Sequence, residues 1–518
     1  MTTQQDMTTA QPRSASRAEA LRGLCGGSVQ LPGDPAYDMA RSLWNLQMRD
    51  DPAAVCYPAF PEEVAEVLLA SAAAGLRVAA QGTGHGAPPL EGRLGNAVLL
   101  RTSAMTGLEI DPDRRTVRAA AGVLWGDLTD AAGRHGLAAR HPSSPDVGVV
   151  GYTLGGGIGW YARKLGLQCN AVTAAELVLA DGSFVRATPD HDAELFWALR
   201  GGAAPLGVVT AMEFDLFPLE TVVAGHLTWD WTAVERVLPA WVAWCADAPE
   251  DATTAFRLLD VPEDPVVPAE LRGRRIAMID GAVLGDDRAA DEVLAPLRAL
   301  DPEFDTVARV PASSLVRLHL DPEGPTPAYA SSTLVSGLPD EAIGRMLDAV
   351  GPGSGTRLAA AELRQLGGAL ARPDPDGGAL DALDGSFLAL GLGLGGGDDR
   401  HWARQRADAA RFLAAVEPWA TGRQYLPMLD DRTDTRKVFP PGVHARLSAV
   451  RRAADPGNLF LAPHDPGGAD AGSGRRIRPP GPRSGRAADP WGRRRVRRAP
   501  AWPGPRPRGG APARCGHR

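Results

Sequence analysis

The run Gln81-Gly82-Thr83-Gly84-His85-Gly86 sets one histidine among three glycines. An imidazole can act as a nucleophile, a base or a ligand near neutral pH. Glycine permits left-handed backbone and lets main-chain N–H groups approach a ligand closely. Concave loops of this kind suit anions, and a diphosphate is a natural guest. A second cluster follows Ser143 and Ser144: Gly148, Gly151, Gly155, Gly156, Gly157 and Gly159 lie among Val147, Val149, Val150 and Ile158. Two glycine loops separated by sheet, one holding a histidine, suit a long ligand with a diphosphate middle and flat apolar ends, which describes a dinucleotide. Turns and close packing explain either cluster equally well, and a lone histidine is more often packed than reactive. The segment 155–159 with Glu176 downstream imitates a dinucleotide turn of the G-x-G-x-x-G kind, but the spacing is not met and only a short possible helix over 160–165 follows.

The elements around the loops place them. Pro61-Glu62-Glu63 opens a helix, with proline in the first turn and acids at the positive end of the dipole. Val64, Val67, Leu68 and Ser71 share its buried face, Gly75 ends it, and 76–80 reads as a short strand. The histidine loop then falls at a strand's carboxyl end, where open α/β sheets tend to hold ligands. Strands are expected at 97–101, 106–110, 116–120 and 207–216, helices at 124–134 and 192–199. A hairpin is expected at 174–180 and 183–187 around Asp181-Gly182. From about residue 220 glycine thins out. Helices at 233–246, 288–300, 340–350 and 404–416 alternate with strands at 226–229, 274–283, 357–366 and 386–392; 423–429 reads as extended and 442–452 as helical. The mixture predicts an α+β fold.

The chain has 518 residues, 44% of them hydrophobic and 23% charged, which is an ordinary globular balance. Its net charge of -7 conceals an asymmetry: residues 471–518 carry 14 Arg against one Asp, which leaves -20 on the first 470. An acidic body disfavours nucleic acid as a partner. The five cysteines, Cys25, Cys56, Cys169, Cys245 and Cys515, form no CxxC pair, so neither a disulfide framework nor a metal site is expected. The polar start has no signal-type apolar run, and the most apolar stretch, 64–80, is interrupted by Glu66 and Arg77, so a cytoplasmic protein with no membrane partner is expected.

Four motifs in order carry a resemblance: 81–86; Ser143-Ser144-Pro145-Asp146-Val147-Gly148-Val149-Val150-Gly151-Tyr152-Thr153-Leu154-Gly155-Gly156-Gly157; Asp192-Ala193-Glu194-Leu195-Phe196-Trp197-Ala198-Leu199-Arg200-Gly201-Gly202; and Asp455-Pro456-Gly457-Asn458-Leu459-Phe460. Over roughly 21–464 the chain resembles the berberine bridge enzyme-like FAD-linked oxidases of the vanillyl-alcohol oxidase and para-cresol methylhydroxylase superfamily. The resemblance implies a two-part FAD-binding domain and a substrate domain of antiparallel sheet covered by helices. It implies FAD bonded to His85 through a ring nitrogen. Many members hold the flavin a second time through a cysteine; Ser144 stands at that position, so a single tether is expected. Gly82, Thr83, Gly84, Gly86, Ser143, Val147, Gly148, Gly151, Tyr152, Gly155, Gly156, Gly157, Gly207, Val208, Val209 and Asn458 complete the expected flavin contacts, with Val147 at a place compatible with oxygen access.

The implied reaction takes hydride from a small-molecule alcohol, hemiacetal or amine to FAD, with a protein base taking the substrate proton and oxygen accepting the electrons as hydrogen peroxide. Alternatives are a dehydrogenase of the same fold and a flavin-binding protein without turnover. Tyr425 is the expected base, although Pro427 and Met428 replace the usual asparagine and aromatic, and Ala203 to Leu206 also depart from the family pattern. Tyr152, Trp160 and Tyr161 are candidates for the pocket lining. Glu362 and Arg364 alternate on a strand and share a face, which reads as solvent-facing; His141, His226 and His319 read as structural. The expected division is a disordered 1–20, an FAD domain at 21–219, a substrate domain at 220–430, a return to the FAD domain at 431–466 and a disordered basic tail at 467–518. That tail reads as an out-of-frame extension, with an anionic-polymer arm as the other possibility.

Overall fold

The computed structural model describes residues 17–265 and 267–467. Most of the expected N-terminal and C-terminal segments lie outside these residues.

Three sheets of four or more strands carry the fold. In the first, β1 (Val29–Gln30), β2 (Ala54–Cys56), β3 (Arg77–Gln81) and β4 (Ala97–Arg101) run in the order β1-β2-β4-β3, with β4 parallel to both β2 and β3. In the second, β5 (Leu108–Asp111), β6 (Thr116–Ala120), β8 (Val172–Val178), β9 (Phe184–Ala187) and β10 (Val208–Asp215) form an antiparallel sheet in the order β5-β6-β10-β8-β9. A small ribbon pairs β7 (Leu137–Ala138) with β11 (Phe217–Pro218). The third sheet has eight strands: β12 (Thr221–Asp230), β13 (Ala252–Asp260), β14 (Arg275–Val283), β15 (Phe304–Asp305), β16 (Ala308–Pro311), β17 (Ala328–Val335), β18 (Ala360–Gln365) and β19 (Phe387–Leu394). Its main path is β15-β12-β14-β13-β18-β19-β17, antiparallel throughout, with β16 added on β12.

The helix Pro61–Ala73 follows the expected rules: proline begins it, Glu63 accepts the N–H of Ala59 at 2.7 Å, and Gly75 follows its end with φ +68°. It buries Val64, Val67 and Leu68, side chains worth about 1.5–3 kcal/mol each on full burial. It leads directly into β3, so the histidine loop emerges at the carboxyl end of a strand covered by a helix. The C-terminal segment returns to the same strand, where Val78 N–H donates to Leu459 O at 2.9 Å and Leu461 N–H to Val78 O at 2.8 Å.

Helices Val234–Asp247, Asp287–Arg298, Asp340–Val350 and Asp399–Val416 flank the large sheet, and three of them bury Trp241, Met346 and Phe412 in one cluster with Phe256, Leu363 and Phe387. Two expectations need correction. Segment 423–429 is not a strand: a short 3-10 turn, Leu426–Met428, occupies it, because Pro427 has no N–H to give a ladder. The second glycine cluster contains a helix, Val149–Leu154, which a glycine at 151 and two valines hide from a propensity reading. No helix among the described residues is long and apolar enough to cross a membrane.

Candidate functional site

The two glycine clusters meet at His85. Its Nδ1 lies 2.7 Å from Thr83 Oγ1, and its ring stacks on Trp44 with centroids 4.0 Å apart. Its Nε2 comes within 3.4 Å of Asp146 Oδ1 without hydrogen-bond alignment, and it is buried with no hydrogen-bond partner. Trp44 is fastened twice, its N–H to Thr83 O at 3.0 Å and its indole Nε1 to Asp146 Oδ2 at 2.6 Å. Asp146 also accepts Ser144 Oγ at 2.8 Å and the Gly324 N–H at 2.7 Å. Burial alone would raise the Asp146 carboxyl; the His85 ring beside it and the hydrogen bonds from Trp44, Gly324 and Ser144 more than offset that and hold the group well below the usual carboxylate range.

The glycines differ in what they do. Gly84 has φ +93°, and a Cβ there would fall 2.8 Å from Leu43 Cβ. Gly156 and Gly157 have φ +115° and +84°, and a Cβ on Gly157 would stand 2.6 Å from Tyr152 Cε1. Gly148 faces Thr83 Cγ2 at 3.8 Å from a built Cβ, so the clusters touch there too. Gly82, Gly86, Gly151 and Gly155 take no left-handed conformation. The N–H groups of Thr83, Gly84, His85 and Gly86 find no acceptor among the described residues. These free donors and the buried unpaired side-chain amide of Gln81 are groups that a flavin dinucleotide would engage, and the donor set fits one.

Tyr425 closes the far side of the second cluster. It is 1% exposed, packs on Gly156, and its hydroxyl accepts the Gly157 N–H at 2.9 Å. Burial drives its phenol upward, only partly opposed by that N–H and by Arg364, the opposite of the lowering that a base needs at neutral pH. Tyr152 is partly buried, with its hydroxyl covered and unpaired. Ser143 Oγ donates to Asp321 Oδ2 at 2.9 Å. Val208 and Val209 are buried in β10, and a Cβ on Gly207 would stand 2.8 Å from Val178 O, so this glycine packs closely on the neighbouring strand. Asn458 is at the other end of β3, roughly 13 Å along the strand, where its side-chain oxygen accepts Arg77 at 3.2 Å and Arg451 at 3.0 Å. Glu176, downstream of the glycines, is paired with Arg118 at 2.7 Å across the sheet.

The face carrying Glu362 and Arg364 is not solvent. Alternation does put both on one side of β18, but that side turns inward onto the segment that ends at His319. His319 Nδ1 is 2.7 Å from Asp280 Oδ2, and its Nε2 is 3.3 Å from Glu362 Oε2. Arg257 bonds Asp280 at 2.6 Å and His319 O at 2.8 Å, and Arg364 pairs closely with Glu362. Trp160 lies over the His319 ring with centroids 5.5 Å apart. Burial and Arg257 lower the imidazole's basicity, but Asp280, Glu362 and Asp321 outweigh them and raise it to about 9. His319 is therefore a charged member of a buried network. His141 is structural: burial takes it down to about 4 and its ring packs on Tyr161.

Sequence reasoning also missed a cleft of about 370 Å³ between Pro88–Arg93 and the large sheet, lined by Asn45, Tyr329, Arg406, Asp430 and Asp431 among others. Asp430 accepts the Ala330 N–H at 2.7 Å, and burial pushes its carboxyl up to about 7.

Residues 52–188, which contain both glycine clusters, match the family model described as an FAD binding domain. With the fold, this defines a flavoprotein: the chain is an FAD-dependent oxidoreductase, and the proteins it is similar to are of the vanillyl-alcohol oxidase and para-cresol methylhydroxylase superfamily. It is 27% identical over 453 residues to (R)-6-hydroxynicotine oxidase of Paenarthrobacter nicotinovorans, covering 84% of this chain and 95% of that protein. It is 32% identical over 208 residues to glucooligosaccharide oxidase of Sarocladium strictum, covering 39% of this chain and 41% of that one. Among solved structures, wild-type berberine bridge enzyme-like 1 from Physcomitrella patens shares the fold with a TM-score of 0.73 at 21% identity, covering 91% of this chain and 100% of that one.

Proposed function

We propose that the protein is an oxidase that holds FAD through a single covalent bond at His85 and oxidises a small-molecule alcohol, hemiacetal or amine, with oxygen as acceptor and hydrogen peroxide as product. The observation that carries this reading is His85, half-buried and stacked on Trp44, inside a segment that matches an FAD binding domain. Relatives named as oxidases of 6-hydroxynicotine and of glucooligosaccharide support an amine or a carbohydrate as the substrate class. Ser144 already donates to Asp146 and carries no thiol, which supports one tether.

When bound, FAD supplies the two-electron acceptor for the substrate's hydride and passes the electrons to oxygen. The chain supplies the rest. The free N–H groups of 83–86 hold negative charge, Trp44 covers the imidazole, and Gly156 and Gly157 let Tyr425 and Tyr152 pack against the second loop. For the substrate proton, Tyr425 is the family-implied base, but its raised phenol already accepts the Gly157 N–H. Asp430, five residues on, lines the cleft with a carboxyl near 7, which suits a base at neutral pH. The domains follow this division of labour: 21–219 with 431–466 for the flavin, 220–430 for the substrate.

The test is denaturation of purified protein with acid, followed by gel fluorescence and peptide mass. Flavin that stays on the His85 peptide, and is lost from the covalent fraction in His85→Ala, is the expected result; flavin that washes off the wild type overturns the reading. Peroxide release in air across a panel of alcohols, sugars and amines separates an oxidase from a dehydrogenase, which would be reduced quickly and reoxidised slowly.

A further inference from the structure

We propose that Asp146 is a positioning residue for flavin attachment: its carboxylate orients the His85 imidazole and offsets the charge that develops on the ring as the bond forms. This rests on the reading of His85 as the attachment residue. Asp146 is unusual in how fully it is held. Oδ2 accepts the Trp44 indole at 2.6 Å and the Gly324 N–H at 2.7 Å, and Oδ1 accepts Ser144 Oγ at 2.8 Å while standing 3.4 Å from His85 Nε2. Trp44 is both the ring stacked on His85, at 21° between planes, and a donor to Asp146, so imidazole and carboxylate are fixed by one side chain.

A carboxylate at Nε2 favours the tautomer that carries its proton there. The lone pair then lies on Nδ1, where Thr83 Oγ1 donates at 2.7 Å in the absence of another partner. Such a nucleophile, oriented by a neighbouring acid, is the arrangement by which weakly nucleophilic side chains are activated. The step balances as follows: the bond from Nδ1 to the flavin 8α carbon forms, one C–H bond of that carbon and the Nε2–H bond release protons, and the two electrons left behind reduce dioxygen to hydrogen peroxide. Alkylation of Nδ1 makes the ring cationic until Nε2 gives up its proton. Asp146, kept ionised by its four neighbours, stabilises that cation and is placed to take the proton. A neutral amide at 146 would preserve shape and lose both effects.

The experiment uses full-length apoprotein mixed with FAD in air, with acid-stable fluorescence followed in time and non-covalent FAD binding measured separately. Asp146→Asn is expected to slow attachment at least tenfold while FAD affinity stays within about threefold, and Asp146→Glu to recover part of the rate. Attachment by Asp146→Asn at the wild-type rate overturns the proposal. If that variant folds poorly, Trp44→Phe keeps the stack and removes only the indole donor; it should slow attachment at least twofold, and an unchanged rate again overturns the proposal. Wild type that releases its flavin in acid defeats the His85 reading and this one together. Wild type that retains it beside an equally fast Asn variant defeats the role of Asp146 alone.

Discussion

The hydroxyl of Tyr425, a side chain only 1% exposed, accepts the main-chain N–H of Gly157 across 2.9 Å. One hydrogen bond thus ties the end of the segment that we assign to the substrate to the loop that we assign to the flavin. Tyr425→Phe leaves that N–H buried without an acceptor, an unsatisfied group that costs about 1–3 kcal/mol. Urea denaturation of the variant should show this loss. If Asp430 is the base, turnover should fall less than tenfold.

Gly157 has φ +84° and no room for a methyl group beside Tyr152 and Gln168. Gly157→Ala should therefore release bound FAD or fail to take it up, measured as the ratio of flavin to protein absorbance after gel filtration. Gly86→Ala, in open space and without a left-handed backbone, should keep at least half of its flavin.

Asp430 must be ionised to accept a proton, and its carboxyl stands at about 7. The rate of flavin reduction by substrate should therefore rise with pH through that value. Asp430→Asn should remove this limb and lower the rate by at least a hundredfold, as read by stopped-flow absorbance.

The His319 imidazole is raised to about 9 by Asp280 and Glu362 despite its burial. A folded value above the unfolded one of about 6.5 contributes stability that is complete below about 6.5 and is lost as pH climbs through 9. The melting temperature should fall over that interval. Asp280→Ala, which strands Arg257 and His319 in the core, should cost about 3–5 kcal/mol.

Local signals were enough to read several elements. Pro61 and Gly75 mark the ends of a helix because one lacks an N–H that the first turn does not need and the other tolerates φ +68°. Asp181-Gly182 marks a hairpin for similar reasons, and β8 and β9 do pair across it. Where the determinants are distant, local reading failed. Period two placed Glu362 and Arg364 on one face but could not say what covered it, and the covering groups come from residues 257, 280 and 319 on other strands and loops.

The site divides in the same way. The histidine, its glycines and the missing thiol at 144 are properties of residue type: the glycine loops pointed to a dinucleotide, and the family resemblance implied a single tether at His85. That Trp44 covers the ring, that Asp146 faces Nε2, and that Asn458 serves two arginines at the far end of β3 were decided only by tertiary structure. The physical reason is that a side chain's identity states which bonds it can make, whereas packing decides which partner is within 3 Å and whether water is there to compete.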